Sequence, residues 1–260
     1  MAKIHNTAII AQGADIADDV QIGPFSVVGE GVKIEEGTII ASHCVIEGKT
    51  TIGKNNQIFS HSVLGTIPQD LKFGGEETFL IIGNNNKIRE HTLINTGTAG
   101  GGYKTMIGSN NLIMGHVHIG HDCILADNIV VANSSAIAGH VEIDSNVVVG
   151  GVSAIHQFCK IGTGSMIGGG SIVVQDIPPY CITEGNRATL RGLNINGLRR
   201  RMDSRSDIDL IKKAYKKLFE SGQPLNESAA EILESSENKF VKILANFVMN
   251  TKRGIPFTRK

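Results

Sequence analysis

A large aliphatic residue recurs at every sixth position from the start of the chain: Ile4, Ile10, Ile16, Ile22, Val28, Ile34, Ile40, Ile46, Ile52, Ile58 and Leu64. Four residues later in each hexad a small or β-branched side chain usually stands, as at Ala8, Ala14, Val20, Ser26, Val32, Thr38, Cys44, Thr50 and Ser62. A period of six fits neither the 3.6-residue turn of an α-helix nor the alternation of a long strand; it is the signature of a parallel β-helix. Each hexad supplies a short strand and a turn, and successive coils stack at roughly 4.8 Å with backbone groups paired between them. Each inward aliphatic contributes roughly 1.5–3 kcal/mol. The ladder of branched residues is therefore the predicted core.

The repeat lapses after Leu64, resumes at Ile82, Ile88 and Ile94, lapses again, and returns at Ile107 one residue out of phase with the first half. It then runs through Ile113, Ile119, Leu125, Val131, Ile137, Ile143, Val149, Ile155, Ile161 and Ile167 to Val173. The two lapses, about 65–81 and 95–106, read as loops thrown out from the coil, where repeat proteins often gather binding groups. In DIPPY, Pro178 and Pro179 remove two ladder donors and predict the end of the repeat. Further on, SRSDIDLIKKAYKKLFESG lines Ile208, Ile211, Ala214, Tyr215 and Leu218 along one helical face, with aspartates early and lysines late. SAAEILESSENKFVKILANFVM predicts a second helix. The expected division is a mainly β region, 1–190, followed by a small α-helical domain, 191–260.

Composition sharpens this picture in a few places. Thirty-one glycines and no tryptophan suit a β architecture rich in tight turns. A formal net charge of zero supplies no basic field for nucleic acid or for an anionic membrane. The N-terminus has no signal-like apolar core, and no run of about 18 apolar residues occurs. A soluble, cytoplasmic protein without stable membrane insertion is expected. Cys44, Cys123, Cys159 and Cys181 are widely spaced without a CxxC pair, and the first three fall at the small position of the repeat, where they read as packing residues.

Chemistry concentrates in Met114 to His140, which holds His116, His118, His121, Asp122 and His140. In known hexapeptide-repeat proteins three hexads form one triangular, left-handed coil of 18 residues. On that likeness His121 stacks on Gly139, and Gly139 on Gln157. A glycine beside an imidazole leaves a notch and an approachable N–H, which gives a base, a space and an oxyanion donor suited to acyl transfer. His118 and His140 flank the column, and His156 precedes Gln157. Asp122 can orient His121 only if the pair lies at a coil corner, because neighbours on a strand face opposite ways. His5, His43, His61 and His91 read as surface or structural residues; His43 and His61 are also 18 apart, so stacking alone does not make a site. A γ-class carbonic anhydrase shares the scaffold, and His116 and His121 have its ligand offset. Its third ligand would fall near Ile81, where there is no histidine, and catalytic zinc needs three protein ligands. No metal site is expected.

The segments IPQDLK, HIGHDC, AGHV, IHQFCKIG, DIPPY, GNRA and GLRRR, in this order, resemble the UDP-N-acetylglucosamine O-acyltransferases of lipid A biosynthesis over essentially the whole chain. The resemblance implies a homotrimer of left-handed parallel β-helices with active sites between subunits. It implies transfer of a 3-hydroxyacyl group from acyl carrier protein to UDP-N-acetylglucosamine, without a further cofactor. By motif, His121 resembles the general base, Asp122 its orienter and Gly139 the oxyanion donor. His118, His140 and Gln157 resemble substrate-positioning residues, Asp70 and Lys72 the sugar-nucleotide contacts of the first loop, and Asn194 and Arg200 those of the ribose and phosphates. His156 and Gly169 resemble the acyl-chain pocket, with glycine at 169 implying a long chain. Asn196 and Arg187 depart from the family, which usually has an acidic residue and a histidine there; they bear on nucleotide contact, not on the reaction class. Lys212, Lys213, Lys216 and Lys217 offer either a solvated helix face or a landing surface for an acidic carrier. The γ-class carbonic anhydrase is the best rival from a different chemistry, and an acetyl-CoA-dependent sugar acetyltransferase is the second.

Overall fold

The computed structural model describes residues 1–257. Its strands form three sheets of eleven, nine and eight members among the described residues, wound as a left-handed parallel β-helix. The first face begins at Lys3–Ile4, the second at Ile9–Ile10 and the third at Asp15–Ile16. Partners in one face are 18 residues apart, as with Ile4 and Ile22 or His118 and Ala136. The step stretches to 30 between Ile58 and Ile88, and to 25 between Ile94 and Ile119, which locates the two excursions.

The inward ladder is buried from Ile22 to Val173 as its period predicts. The small position lies just before each strand, at the corner, and it is sealed as well: Ser26, Thr38, Thr50, Asn56, Ser62, Asn86 and Thr92 are all fully buried. They are satisfied by the backbone of adjacent coils, since Thr38 donates to the Gly53 carbonyl at 2.8 Å and Asn56 Oδ1 accepts from the Asn86 N–H at 2.9 Å. Buried polar groups of this kind are tolerated because each finds a partner. Cys44, Cys123 and Cys159 occupy the same position at zero exposure. Burial pushes their thiols up, Cys123 to about 12 and Cys159 to about 11, which keeps them protonated and inert.

Both excursions leave from one edge. The first runs from strand Val63–Thr66 to strand Phe79–Ile82, the second from Leu93–Asn95 to Lys104–Ile107, and each bridges the second and third faces. This second corner carries the catalytic candidates. The first corner joins faces one and two, and the third corner joins faces three and one.

Two expectations need correction. The repeat does not stop at DIPPY: Cys181–Glu184 adds a parallel strand beside Met166–Ile167, and Thr189–Leu193 closes the sheet antiparallel to it. Pro179 stands in a corner turn, where the coil asks for no ladder donor, so proline is accommodated there. The second predicted helix is in fact two, α3 (Leu225–Ser235) and α4 (Lys239–Asn250), after α1 (Ile195–Arg201) and α2 (Arg205–Phe219). Ser236 is extended, and the Asn238 side chain accepts from the N–H groups of Phe240 and Val241, which restarts the helix. The helices enclose their own core, including Ile211, Leu218, Ala229, Leu244 and Val248. Asp176, fully buried, ties the chain end to the last coil: Oδ1 accepts from the Lys160 N–H, and Oδ2 from the Thr251 hydroxyl and the Lys252 N–H. No helix among the described residues is long and apolar enough to cross a membrane.

Candidate active site

Asp122 has φ of 59°, the left-handed turn conformation, so the His121–Asp122 pair occupies the second corner. Strand alternation no longer separates the two side chains there. His121 Nδ1 lies 2.8 Å from Asp122 Oδ2, and both residues are buried. An ionised carboxylate can only accept, so Nδ1 carries the proton and Nε2 presents its lone pair.

The carboxylate is held from the second excursion. The Thr98 N–H donates to Oδ1 at 2.8 Å and the Thr98 hydroxyl to Oδ2 at 2.6 Å, while the Asp122 N–H donates to the Thr105 hydroxyl at 2.8 Å. A buried carboxylate is tolerable only with such partners. Gly101 must lack a side chain, because a Cβ there would fall on the Asp122 carboxyl group. The first excursion braces the second, with Glu76 Oε1 accepting from the Ala99 N–H at 2.9 Å.

Gly139 packs against the other edge of the imidazole. A Cβ on it would meet His121 Cε1 and Nε2 at 2.6 Å, so only glycine fits beside this ring. Its N–H has no backbone acceptor among the described residues and remains a free donor. Next along the corner, His140 meets His121 edge-on, with ring centroids 4.9 Å apart, and stacks on Phe158 at 4.4 Å. Burial lowers the His140 pKa, opposed by the charge of Asp122 and, more weakly, of Asp70. Burial likewise lowers that of His118. Both rings are thereby biased to the neutral form.

These residues open onto a cavity of about 390 Å³ lined by His118, His121, Gly139, His156 and Gln157, together with Gln69 and Asn95. Asn95 Oδ1 and His118 Nδ1 are buried there without hydrogen-bond partners. From His118 the second face continues outward through Ala136 and Ala154 to Ile172, a smooth apolar track. His121, Asp122 and His140 also offer ligand atoms within 4.8 Å of one another, but the hydrogen bond already occupies Nδ1 of His121.

Not every candidate gathers here. Asp70 is on the first excursion beside the site, where its carboxylate accepts from the Lys72 N–H at 3.0 Å, and the Lys72 side chain is exposed. Gly169 stands at the first corner, stacked over Gly151 at the far border of the second face, with space for a side chain. Asn194 and Arg200 belong to the third corner. Asn194 caps α1 by accepting from the Gly197 N–H and donating to the Gly164 carbonyl, and Arg200 is exposed. Asn196 and Arg187 are exposed. His116 stands at the first corner, away from His121. Sequence reasoning missed Gln69, Asn95, Thr98 and Thr105. The run GTAGGG was the available signal, since its glycines permit the second excursion to fold tightly over Asp122.

The comparisons with known proteins show the family. Residues 176–256 match the family model described as "Udp N-acetylglucosamine O-acyltransferase; Domain 2", and residues 13–48 match "Bacterial transferase hexapeptide (six repeats)". The acyl-[acyl-carrier-protein]–UDP-N-acetylglucosamine O-acyltransferase of Aliarcobacter butzleri is 64% identical over 260 residues, covering 100% of both chains. The chain belongs to this acyltransferase family. A second member, from Sulfurovum sp., is 56% identical over 260 residues, again covering 100% of both. The UDP-N-acetylglucosamine acyltransferase structure from Campylobacter jejuni superposes with a TM-score of 0.95 at 44% identity, covering 99% of this chain and 100% of that one. Membership of the acyltransferase family accounts for the paired excursions and the helical tail as well as for the repeat.

Proposed function

We propose that this chain transfers a long 3-hydroxyacyl group from the thioester of acyl carrier protein to the glucosamine 3-hydroxyl of UDP-N-acetylglucosamine, the first step of lipid A biosynthesis, in the cytoplasm. The observation that carries the reading is the His121 ring wedged between the Asp122 carboxylate and the Gly139 notch. His121 Nε2 takes the hydroxyl proton as the oxygen attacks the thioester carbon. The carbonyl electron pair moves to oxygen, and the Gly139 N–H donates to that oxyanion. Collapse expels the carrier thiolate, which recovers the proton from the imidazolium. General-base catalysis of this kind contributes about 10²–10⁴-fold, and an oxyanion donor about 10²–10³-fold. The acyl thioester is already activated, so the reaction calls for no separate cofactor and no metal.

The acceptor sugar is held by Asp70, Lys72, His118, His140 and Gln157, of which His118 and Gln157 line the cavity together with Asn95. The acyl chain follows the apolar track past His156 toward Gly169. Asn194 and Arg200 meet the nucleotide of a site on a neighbouring subunit of a homotrimer, and a planar guanidinium is suited to phosphate. Support for the assembly comes from the separation of the second and third corners within one chain. Three triangular prisms meeting along one edge leave clefts in which those two corners face each other. It also comes from the second face, whose outward Val27, Val45, Val63 and Leu93 are apolar.

The test is a panel of 3-hydroxyacyl carrier proteins against acceptors with a 3-hydroxyl or a 3-amino group, with His121→Ala as control. Turnover of the 3-hydroxyl acceptor that falls by at least 10² in the variant supports the reading. Turnover with acetyl-CoA in place of acyl carrier protein, or a fully active His121→Ala, overturns it.

A further inference from the structure

The first corner carries a column of rings that the acyl-transfer chemistry leaves unused. Phe25, His43, His61, His91 and His116 occupy the same turn position on successive coils, each with φ between 56° and 64°. Successive centroids are 5.1, 4.9, 4.9 and 4.7 Å apart, and the interplanar angles along the three imidazole steps are 25°, 2° and 10°. All four imidazoles are exposed in the single chain. The fold does not require histidine for this backbone, because the third corner meets the same demand with Asn55, Asn85, Asn110, Asn128 and Asn146. What sets the first corner apart is therefore the imidazole itself.

Imidazole nitrogen suits zinc, nickel and copper. Zinc–nitrogen bonds of about 2.0–2.1 Å require two ligand nitrogens to approach within about 4 Å of each other. Parallel rings 4.7–4.9 Å apart hold like atoms at about that spacing, so neighbours along one ladder cannot converge on one ion. One chain offers one ligand per level. Three copies around an axis offer three.

Several features put this edge innermost in such an assembly. It lies between the apolar second face and the first face, whose paired outward positions run through Leu112, Val130, Val148 and Met166 and carry charge at Lys3 and Lys87. The third face, which borders both other corners, keeps outward charges at Asp15, Lys33, Glu142 and Lys160. The corner itself exposes Phe25 at 58% and Val152 at 72%, large apolar groups in line with the histidines. We propose that the imidazole ladder is a transition-metal site completed by three copies of the chain, with one histidine from each copy at each level. This rests on the threefold assembly inferred above. Ions bound there join the three prisms along their shared edge, far from the catalytic corner, and stabilise the assembled form over the separated chains.

The experiment titrates zinc into chelator-stripped full-length protein by calorimetry, with sedimentation velocity run in parallel. A H43N/H61N/H91N/H116N variant serves as comparison, because asparagine already occupies the equivalent turns of the third corner; a His61→Ser/His91→Ser variant, matching Ser134 at this corner, is the second. The expected result is saturable zinc binding by the trimer and a raised thermal midpoint. Affinity falls at least tenfold in the fourfold variant, and acyl transfer is unchanged. A trimer that binds no zinc, or whose zinc binding survives in the fourfold variant and is lost in His140→Asn, overturns the site and leaves the acyltransferase reading standing. A chain that is not a trimer overturns the assembly and this site together.

Discussion

The Thr98 hydroxyl donates to the same Asp122 oxygen that lies 2.8 Å from His121 Nδ1, at a distance of 2.6 Å. A residue in an inserted loop thus fixes the carboxylate that pairs with the proposed base. In Thr98→Val the hydroxyl is lost while the shape is kept, and a hydrogen bond to a charged group is worth about 1.5–3 kcal/mol. We expect kcat to fall about tenfold or more with little change in KM for either substrate. A fall in KM-governed steps alone, with kcat intact, would show that Thr98 does not act through Asp122.

Gly139→Ala brings a methyl group within 2.6 Å of the His121 ring. The imidazole must tilt, which breaks its alignment with both Asp122 and the proposed oxyanion donor. Activity should drop by about 10² or more, while circular dichroism remains that of the wild type. Wild-type kinetics in the alanine variant would remove Gly139 from the site.

Burial depresses the pKa of His118 and of His140 from 6.5. A depressed folded-state value means that the unfolded chain binds these protons more readily. The stability tied to the neutral rings is present above the unfolded value and is lost as pH falls from about 6.5 through the folded values. Thermal midpoints measured from pH 8 to pH 5 should decline below about 6.5, and the decline should be shallower in His118→Asn. An equally steep profile in that variant would assign the loss to other groups.

Gly169 has ordinary backbone geometry, and a Cβ there meets the Gly151 backbone at van der Waals distance, its carbonyl oxygen at 3.4 Å and its nitrogen at 3.9 Å. A methionine Cβ therefore fits without straining the coil, beside the proposed end of the acyl path. Gly169→Met is expected to shift the kcat/KM ratio among 3-hydroxyacyl carrier proteins toward shorter chains. Unchanged selectivity would place the end of the acyl chain elsewhere.

On α2, Lys212 pairs with Asp209 and Lys217 with Glu231, whereas Lys213 and Lys216 are exposed. Reversing the latter two to glutamate should raise KM for the acyl carrier several-fold at low salt and less at high salt, because exposed charges are screened. KM for the sugar nucleotide should not move. A carrier KM indifferent to both charge reversal and salt would leave these lysines as a solvated face.

The repeat was legible because a stacked coil exposes its core to sequence inspection: every sixth residue points inward, so the ladder from Ile22 to Val173 is written directly in the chain. The column His121, Gly139, Gln157 followed once the 18-residue coil of known hexapeptide-repeat proteins was laid over that periodicity. Helix breaks were less legible. The interruption at Ser236–Asn238 depends on one side chain capping α4, a local choice that the apolar pattern around it does not report.

Sequence alone determined the periodic core, the existence of both excursions and the gathering of imidazoles around His121, since each is a matter of residue type at fixed spacing. Tertiary structure decided which edge each spacing occupies. Only there do both excursions meet at the second corner, does Thr98 reach Asp122 across 24 residues, and do Asn194 and Gly169 fall at other edges. The reason is the corner geometry. Asp122 in its left-handed turn faces His121, where a strand would have turned it away, and no periodicity in the chain encodes that rotation.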